Sequence, residues 1–330
     1  MTRPLNIGLL GAARISPKAL CQPAAVIPAA RLYGISARNK QRASLFAEEH
    51  GVREVFDTYE SLIESDEIDL IYNPLPINRH AEWTIRALEA GKHVLCEKPL
   101  AMNMDEATAM QAAAQKSGKR LIEAFHYRYH PAFRQCLDWV RDGLIGTVQT
   151  VDAVFNVEIR DSDDEIRQLP ETGGGAMMDL GCYPLSWALH LMDQAPTSVT
   201  AEATLTKRGV DESLQARLEF GDAATAKLTT SMAQGTPFKA EMTVKGSGGS
   251  ISFVNPLAPH QGGHLTMMTK GGEVNAPVSP ISSYTWQLAA VTEALRTDTA
   301  LPTEGEAMLT QQAQLDAIYE AAGLRGLRYR

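Results

Sequence analysis

Six short apolar runs alternate with amphipathic segments over the first 125 residues, and that alternation leaves few folds open to the chain. The runs are LNIGLL (5–10), RLYGIS (31–36), EVF (54–56), DLIYN (69–73), HVLCE (93–97) and RLIEAF (120–125). Between them, KQRASLFAEEHG, HAEWTIRALEAG and MDEATAMQAAAQKSG place apolar residues at helical spacing and end on glycine, the residue that closes a helix in a left-handed conformation. Strands of about 4–6 residues alternating with helices of about 10–15 imply βαβ units. The expected fold is therefore a doubly wound parallel α/β sheet, with its ligand at the carboxyl ends of the strands.

The pattern changes after residue 125. HPAFRQCLDWVRDGLIG reads as a connecting helix, and from Val148 come the alternating runs VQTVDAVFNVE, SVTAEATLTKRG, LQARLEFGD, residues 224–232, KAEMTVKGSGG and SISFVN. These are antiparallel strands by pattern, with GGGAMMDLGCYPLSWALHLM inserted as one helix after the first. SSYTWQLAAVTEALR and EGEAMLTQQAQLDAIYEAAG are helical by period. A chain of 330 residues suits two cores, so the expected division is an α/β domain over 1–125 and an α+β domain over 126–330.

Charge and cysteine usage narrow the function classes. A formal net charge of −8 is unattractive to nucleic acid and to anionic membranes, and neither is an expected partner. No apolar run approaches the ~18 residues of a membrane span, and Arg14 interrupts the N-terminal apolar run too early for a signal peptide. Cys21, Cys96, Cys136 and Cys182 are scattered, without metal-ligand spacing. They read as reduced thiols of a cytoplasmic protein, and no metal is expected.

IGLLGAARIS, from Ile7 to Ser16, stands where a G-x-G-x-x-G dinucleotide turn would, yet the frame from Gly11 has Ala13 and Ser16 at the other two positions. In that fingerprint the first glycine permits the tight turn, the second the approach of the pyrophosphate and the third close helix packing. Alanine and serine tighten the fit without closing it. Gly11, Ala13, Arg14 and Ile15 would still present backbone N–H groups at a helix start. A plain strand–turn–helix is the other reading, and Ser16-Pro17 resembles an N-cap followed by proline at N1. The second run ends in Ser36, Ala37 and Arg38, with Arg42 one helical turn on and no carboxylate. A cofactor with a free ribose 2′-hydroxyl wants an acid there, and a 2′-phosphate wants arginine. NADP is favoured over NAD.

HAEWTIRALEAGKHVLCEKPLAMN, EAFHYRYHP and GGGAMMDLGCYPLSWAL together resemble the Gfo/Idh/MocA oxidoreductase family, along essentially the whole chain. The resemblance implies a Rossmann domain followed by a domain with a large open, mainly antiparallel sheet, often used to form a homo-oligomer (dimer or tetramer). It implies that Lys98, in Glu97-Lys98-Pro99, lies beside nicotinamide and substrate. Pro99 keeps Lys98 extended, and a Lys-Pro bond of this kind is a candidate for cis. On the later helix Asp179, Tyr183, Ser186 and His190 follow at i, i+4, i+7 and i+11 as one polar stripe. Tyr183 stands where many members carry histidine, and it resembles the tyrosine-containing members rather than the inositol dehydrogenases.

The expected function is NADP-dependent hydride transfer at a carbinol carbon of a sugar, of the aldose 1-dehydrogenase type with D-xylose as an example, or of a trans-dihydrodiol. A nicotinamide-dependent glycoside hydrolase and a non-catalytic sensor are the alternatives. Tyr183 is the expected acid/base, activated by the Lys98 ammonium, and Asp179 orients one of them or binds a second hydroxyl. Lys98 as the proton acceptor stays open. NPLPINRH should approach the nicotinamide ribose, with Asn73 and Pro74 as backbone-level candidates and His80, also a cofactor-side candidate, facing the helix start; Glu97 lies beside them. EAFHYRYHP supplies Arg128 and His126 to the cleft or, equally, forms an aromatic packing cluster, and Phe155 and Asn156 are further candidates. Specificity would lie in the loops at 159–175 and 255–264, and the acidic residues of the first suit a small polyhydroxyl partner better than an acidic sugar.

Overall fold

In the computed structural model, which describes residues 3–221 and 224–324, the six N-terminal runs form one parallel sheet. Its strands are β1 (Leu5–Leu10), β2 (Ala30–Ser36), β3 (Glu54–Val55), β4 (Leu70–Asn73), β5 (His93–Cys96) and β6 (Leu121–Glu123), in the order β3-β2-β1-β4-β5-β6. Side chains alternate across the pleat into two cores. Ile7, Leu9, Leu70, Tyr72, Leu95 and Ile122 face one side, and Leu10, Ile71, Val94, Cys96 and Leu121 the other. Burial on both faces is why these runs read as continuously apolar. The chain winds outward from β1 in both directions, so the crevice for a ligand lies at the carboxyl ends of β1 and its neighbours.

Local chemistry sets the helix ends. Asn39 caps Lys40–His50 by accepting the Arg42 N–H, and Gly51 ends it at φ 69°. Asn103 and Gly118 do the same for Met104–Ser117. Tyr59–Glu64 is a further helix, closed by a reciprocal Thr58–Ser61 capping box too short to show in hydrophobic period. Ser16 is not an N-cap: it has helical angles, its side chain makes no capping bond, and a π-type turn over Pro17–Cys21 follows.

Contacts divide the chain into two units, and not at a single boundary near 125. Residues up to Arg128 join Ser282–Leu309 in one, and Tyr129–Ile281 join the residues from Thr310 onward in the other. Leu288 and Val291, on the helix Ser283–Thr297, belong to the Ile7–Leu9 core. Arg120 forks onto Glu304 at 2.7 and 3.0 Å, and Ile122 bridges Glu304 along the edge of β6. Helical period marks such a helix but says nothing about which sheet it covers.

The second unit carries an eight-stranded sheet in the order β14-β13-β12-β11-β7-β10-β9-β8. The strands are β7 (Val148–Asn156), β8 (Ser198–Leu205), β9 (Asp211–Phe220), β10 (Ala224–Ser231), β11 (Lys239–Gly246), β12 (Gly249–Val254), β13 (His264–Thr269) and β14 (Gly272–Ala276). Pairing is antiparallel except between β7 and β10. The last two strands follow no clear sequence alternation, and Asp222, in the run expected at 214–222, lies outside the described residues, as do 325–330. The helix Cys182–Met192 packs on β7 with nearly every side chain buried. No helix among the described residues is long and apolar enough to cross a membrane.

One buried acid makes the first unit sensitive to pH. Glu123, at the carboxyl end of β6, is 1% exposed, its N–H donates to the Thr303 carbonyl at 2.8 Å, and its carboxyl accepts the Leu100 N–H. Burial pushes the Glu123 carboxyl up to about 8, and nearby Glu97 acts in the same direction; the Leu100 N–H and the Lys98 ammonium oppose them. The folded protein therefore holds a proton that the unfolded chain releases near 4.5. That contribution to stability is complete below 4.5 and is lost as pH rises to about 8. Glu123→Gln removes the dependence. In thermal melts, the difference between variant and wild type should move in the variant's favour by about 2 °C or more from pH 5 to pH 8 and then level off. A difference that stays constant across that range would contradict the assignment.

Candidate functional site

The first strand ends in a turn that only glycine fits. Gly11 has φ +85°, its N–H donates to the Ser36 carbonyl at 2.7 Å, and a Cβ there would meet Leu75 Cδ2 at 3.3 Å and the Tyr59 hydroxyl at 3.6 Å. Ala13 and Ile15 are half-buried beyond it and Arg14 is exposed. Ser16 takes the position of the third glycine fully buried, and its Oγ has no hydrogen-bond partner among the described residues. Of the three fingerprint glycines, only the first is required by backbone angle; the other two positions accept small side chains.

At the end of β2, Ser36 is buried with its Oγ also unpartnered among the described residues, Ala37 is half-buried and Arg38 is exposed. Arg42 reaches back from its helix to the Ala12 carbonyl at 2.7 Å, which ties the helix to the phosphate turn. Tyr59 hydrogen-bonds the Arg38 backbone; burial raises its phenol, while Arg38 and Arg79 pull it down. Its ring meets Trp83 edge-on at 4.8 Å. Tyr59 lies outside every motif read from the sequence, and only its Thr58–Ser61 cap marks the place. A left-handed turn, an orphaned buried hydroxyl and guanidiniums without a competing carboxylate fit a dinucleotide carrying a ribose phosphate.

The next strand ends hold one another. Asn73 is buried, donating to the His80 carbonyl at 3.3 Å and to Thr84 Oγ1 at 3.1 Å and accepting from the Leu75 N–H. His80 does not face a ribose. Its Nδ1 lies 3.1 Å from the Pro99 carbonyl oxygen and its Nε2 2.8 Å from that of Leu75, so the ring ties the loop after β4 to the turn after β5. Pro74 lies between Asn73 and Leu75, in the same loop. Glu97 Oε1 accepts the Tyr72 hydroxyl at 2.7 Å and Oε2 the Lys98 N–H at 3.3 Å, which commits Glu97 to the strand end. Lys98 follows, half-buried, with a cis bond to Pro99. Arg128 is buried in the turn His126–Tyr129. His126 stacks on Tyr284 at 3.8 Å, with Nδ1 2.8 Å from Ser283 Oγ, so its ring is part of the first unit's packing.

The second unit brings a different set together. The glycine-rich segment leads into a π-type turn over Met177–Gly181 and then the helix Cys182–Met192. Buried Asp211 fixes the entry: Oδ2 accepts the Met177 N–H at 2.6 Å and Oδ1 the Tyr319 hydroxyl at 2.7 Å. Arg167 Nε donates to Asp179 Oδ2 at 2.6 Å, and its Nη1 lies 3.1 Å from Glu165 Oε1. Tyr183 is almost wholly buried, edge-on to Phe155 at 5.7 Å, and Phe155 also meets Phe238. Asn156 is half-buried. Ser186 is buried and His190 half-buried, so the polar stripe is not a solvated face. Arg167 and Asp211 were missed by sequence reasoning, because 12 and 34 residues separate them from Asp179 and Met177 respectively.

Two family models match in order: residues 5–125 match an oxidoreductase family with an NAD-binding Rossmann fold, and residues 133–252 the GFO/IDH/MocA C-terminal domain. D-xylose 1-dehydrogenase (NADP(+)) 2 of Haloferax volcanii is 34% identical over 322 residues, covering 96% of this chain and 97% of the relative. A dTDP-3,4-didehydro-2,6-dideoxy-alpha-D-glucose 3-reductase of Streptomyces violaceoruber is 32% identical over 98% of this chain and 96% of its own. Among solved structures, the aldose-aldose oxidoreductase of Caulobacter crescentus complexed with glycerol superposes with TM-score 0.89 at 26% identity, covering 97% of this chain and 98% of that one. A 3-ketoreductase of Actinomadura kijaniata with NADP and TDP-benzene gives 0.85 at 27% identity, covering 96% and 98%. Matched in both halves and aligned end to end with these relatives, the chain belongs to the GFO/IDH/MocA oxidoreductase family.

Proposed function

We propose that the chain is an NADP-dependent dehydrogenase that oxidises the anomeric carbinol of an aldose such as D-xylose, or the matching carbinol of a trans-dihydrodiol. The observation that carries this reading is the end of β2, where Ser36 Oγ lacks a partner among the described residues, Arg38 and Arg42 flank the Gly11 turn and no acid follows. Gly11, Ala13, Arg14 and Ile15 would hold the pyrophosphate, and Ser36, Ala37, Arg38 and Arg42 the phosphorylated ribose. Arg128 and the Pro74 loop would border the nicotinamide side. When bound, the nicotinamide supplies the hydride exchange.

The protein must then orient the hydroxyl and accept its proton. A tyrosine ordinarily titrates near ~10 and is a poor base at neutral pH. An adjacent ammonium favours the phenolate, and Lys98 supplies one in this reading while holding the substrate hydroxyl. Burial of Tyr183 against Phe155 limits its hydration and strengthens its response to a nearby charge. Asp179 is a fixed acceptor for a further hydroxyl.

Four buried thiols outside disulfides suit a cytoplasmic enzyme, and burial holds those of Cys21 and Cys136 near 12, where they are inert. The outer face of the second sheet, with Glu202, Glu241, Val254 and Met268 exposed, is the surface proposed for self-association. Light scattering should give a dimer or tetramer mass; a monomer would remove that part of the reading.

Nicotinamide absorbance during incubation with NADP⁺ or NAD⁺ and a panel of pentoses, hexoses, polyols and a trans-dihydrodiol tests the function. Reduction should be faster with NADP⁺, and Arg38→Asp should shift the kcat/KM preference toward NAD⁺ by about 10-fold or more. Tyr183→Phe should lower kcat by about 10²- to 10⁴-fold with little change in the KM for NADP⁺. A Tyr183→Phe enzyme that keeps most of its turnover would move the base to Lys98.

A further inference from the structure

Asp179 does not stand alone on its helix. The segment at 165–175 folds around Arg167: its carbonyl accepts the Gly175 N–H at 2.9 Å, and a Cβ at Gly174 would lie 2.6 Å from that same oxygen. Glu165 accepts the Arg167 N–H at 3.3 Å and pairs with Nη1, while Thr172 Oγ1 closes the loop onto the Leu169 carbonyl at 2.9 Å. A loop tied this way delivers the guanidinium in one direction, and Nε meets Asp179 Oδ2 at 2.6 Å. The Asp179 N–H in turn bonds the Gly175 carbonyl at 3.1 Å, so side chain and backbone of Asp179 are both held from the loop.

This arrangement has a chemical consequence. A general base works best when it titrates near the operating pH, whereas a carboxylate in a charge-assisted pair with arginine is held ionised and is a weak base. Asp179, with Glu165 beside it, raises the Arg167 guanidinium. Resting on the dehydrogenase reading above, we propose that Arg167 is a positioning residue for substrate: by donating to Oδ2 it fixes the Asp179 carboxylate in one orientation as an acceptor for a substrate hydroxyl.

The test compares Arg167→Met and Arg167→Lys with wild type in pH profiles of kcat and kcat/KM, using NADP⁺ and the best sugar of the panel. Arg167→Met should raise the sugar KM by about 10-fold or more, with a smaller change in kcat. It should also move the acid limb of kcat/KM to higher pH, because Asp179 loses the cation that favours its charge. Arg167→Lys, which keeps the charge, should return the limb most of the way. Arg167→Met combined with Asp179→Asn should be no worse than Asp179→Asn alone, as expected of two groups acting as one unit. Turnover in wild type with an unmoved acid limb in Arg167→Met, or additive losses in the double variant, would overturn the proposal even if Arg167→Met melts at a lower temperature. No turnover by wild type on any panel member would overturn the dehydrogenase reading itself, and this proposal with it.

Discussion

A single backbone hydrogen bond, from the Gly11 N–H to the Ser36 carbonyl at 2.7 Å, joins the ends of β1 and β2 and sets the geometry of the cofactor side. It forms only because Gly11 sits at φ +85°, a conformation in which a side chain would be strained and would press on Leu75. Once the turn is made, the Arg42 guanidinium can reach the Ala12 carbonyl and Tyr59 the Arg38 backbone, so β2 and the two helices that follow it meet at the turn. The N–H groups beyond Gly11 and the hydroxyl of Ser36 follow from the same closure. Replacing the other two fingerprint glycines leaves this bond untouched, and that is why Ala13 and Ser16 are tolerated.

The second unit organises its chemistry by charge rather than by backbone angle alone. Asp211 receives a backbone N–H and a tyrosine hydroxyl in full burial, and Arg167 is met by two carboxylates at the loop edge. Buried carboxylates are costly unless such donors satisfy them. Asp211 fixes the first residue of the π-type turn and Arg167 its central residue, Asp179, and Tyr183 follows one helical turn later.

The parallel sheet was legible because its strands are buried on both faces and its helices end on glycine; every expected strand of the first unit forms within two residues of its run. The boundary at 125 was not legible, since Leu288 and Val291 look the same whether a helix covers one sheet or the other. Among candidate site residues, those that share one motif could be named together from sequence: Gly11 with Ala13 and Ser16, Ser36 with Arg38, Glu97 with Lys98, Asp179 with Tyr183. Partners brought in by tertiary contact alone, namely Tyr59, Arg167 and Asp211, left no local pattern. His80 is engaged locally, with carbonyl oxygens of Leu75, Pro99 and Leu100 around its ring.

The acids near Lys98 are held by their own surroundings. Glu123 lies behind the Lys98-Pro99-Leu100 turn, and with its carboxyl pushed up to about 8 it is mostly neutral at pH 7. Glu97 accepts the Tyr72 hydroxyl and the Lys98 N–H at its own strand end. Burial at Glu123 favours its neutral form, whereas Asp179 accepts from the Arg167 guanidinium, so two carboxyls of the chain are held by opposite means.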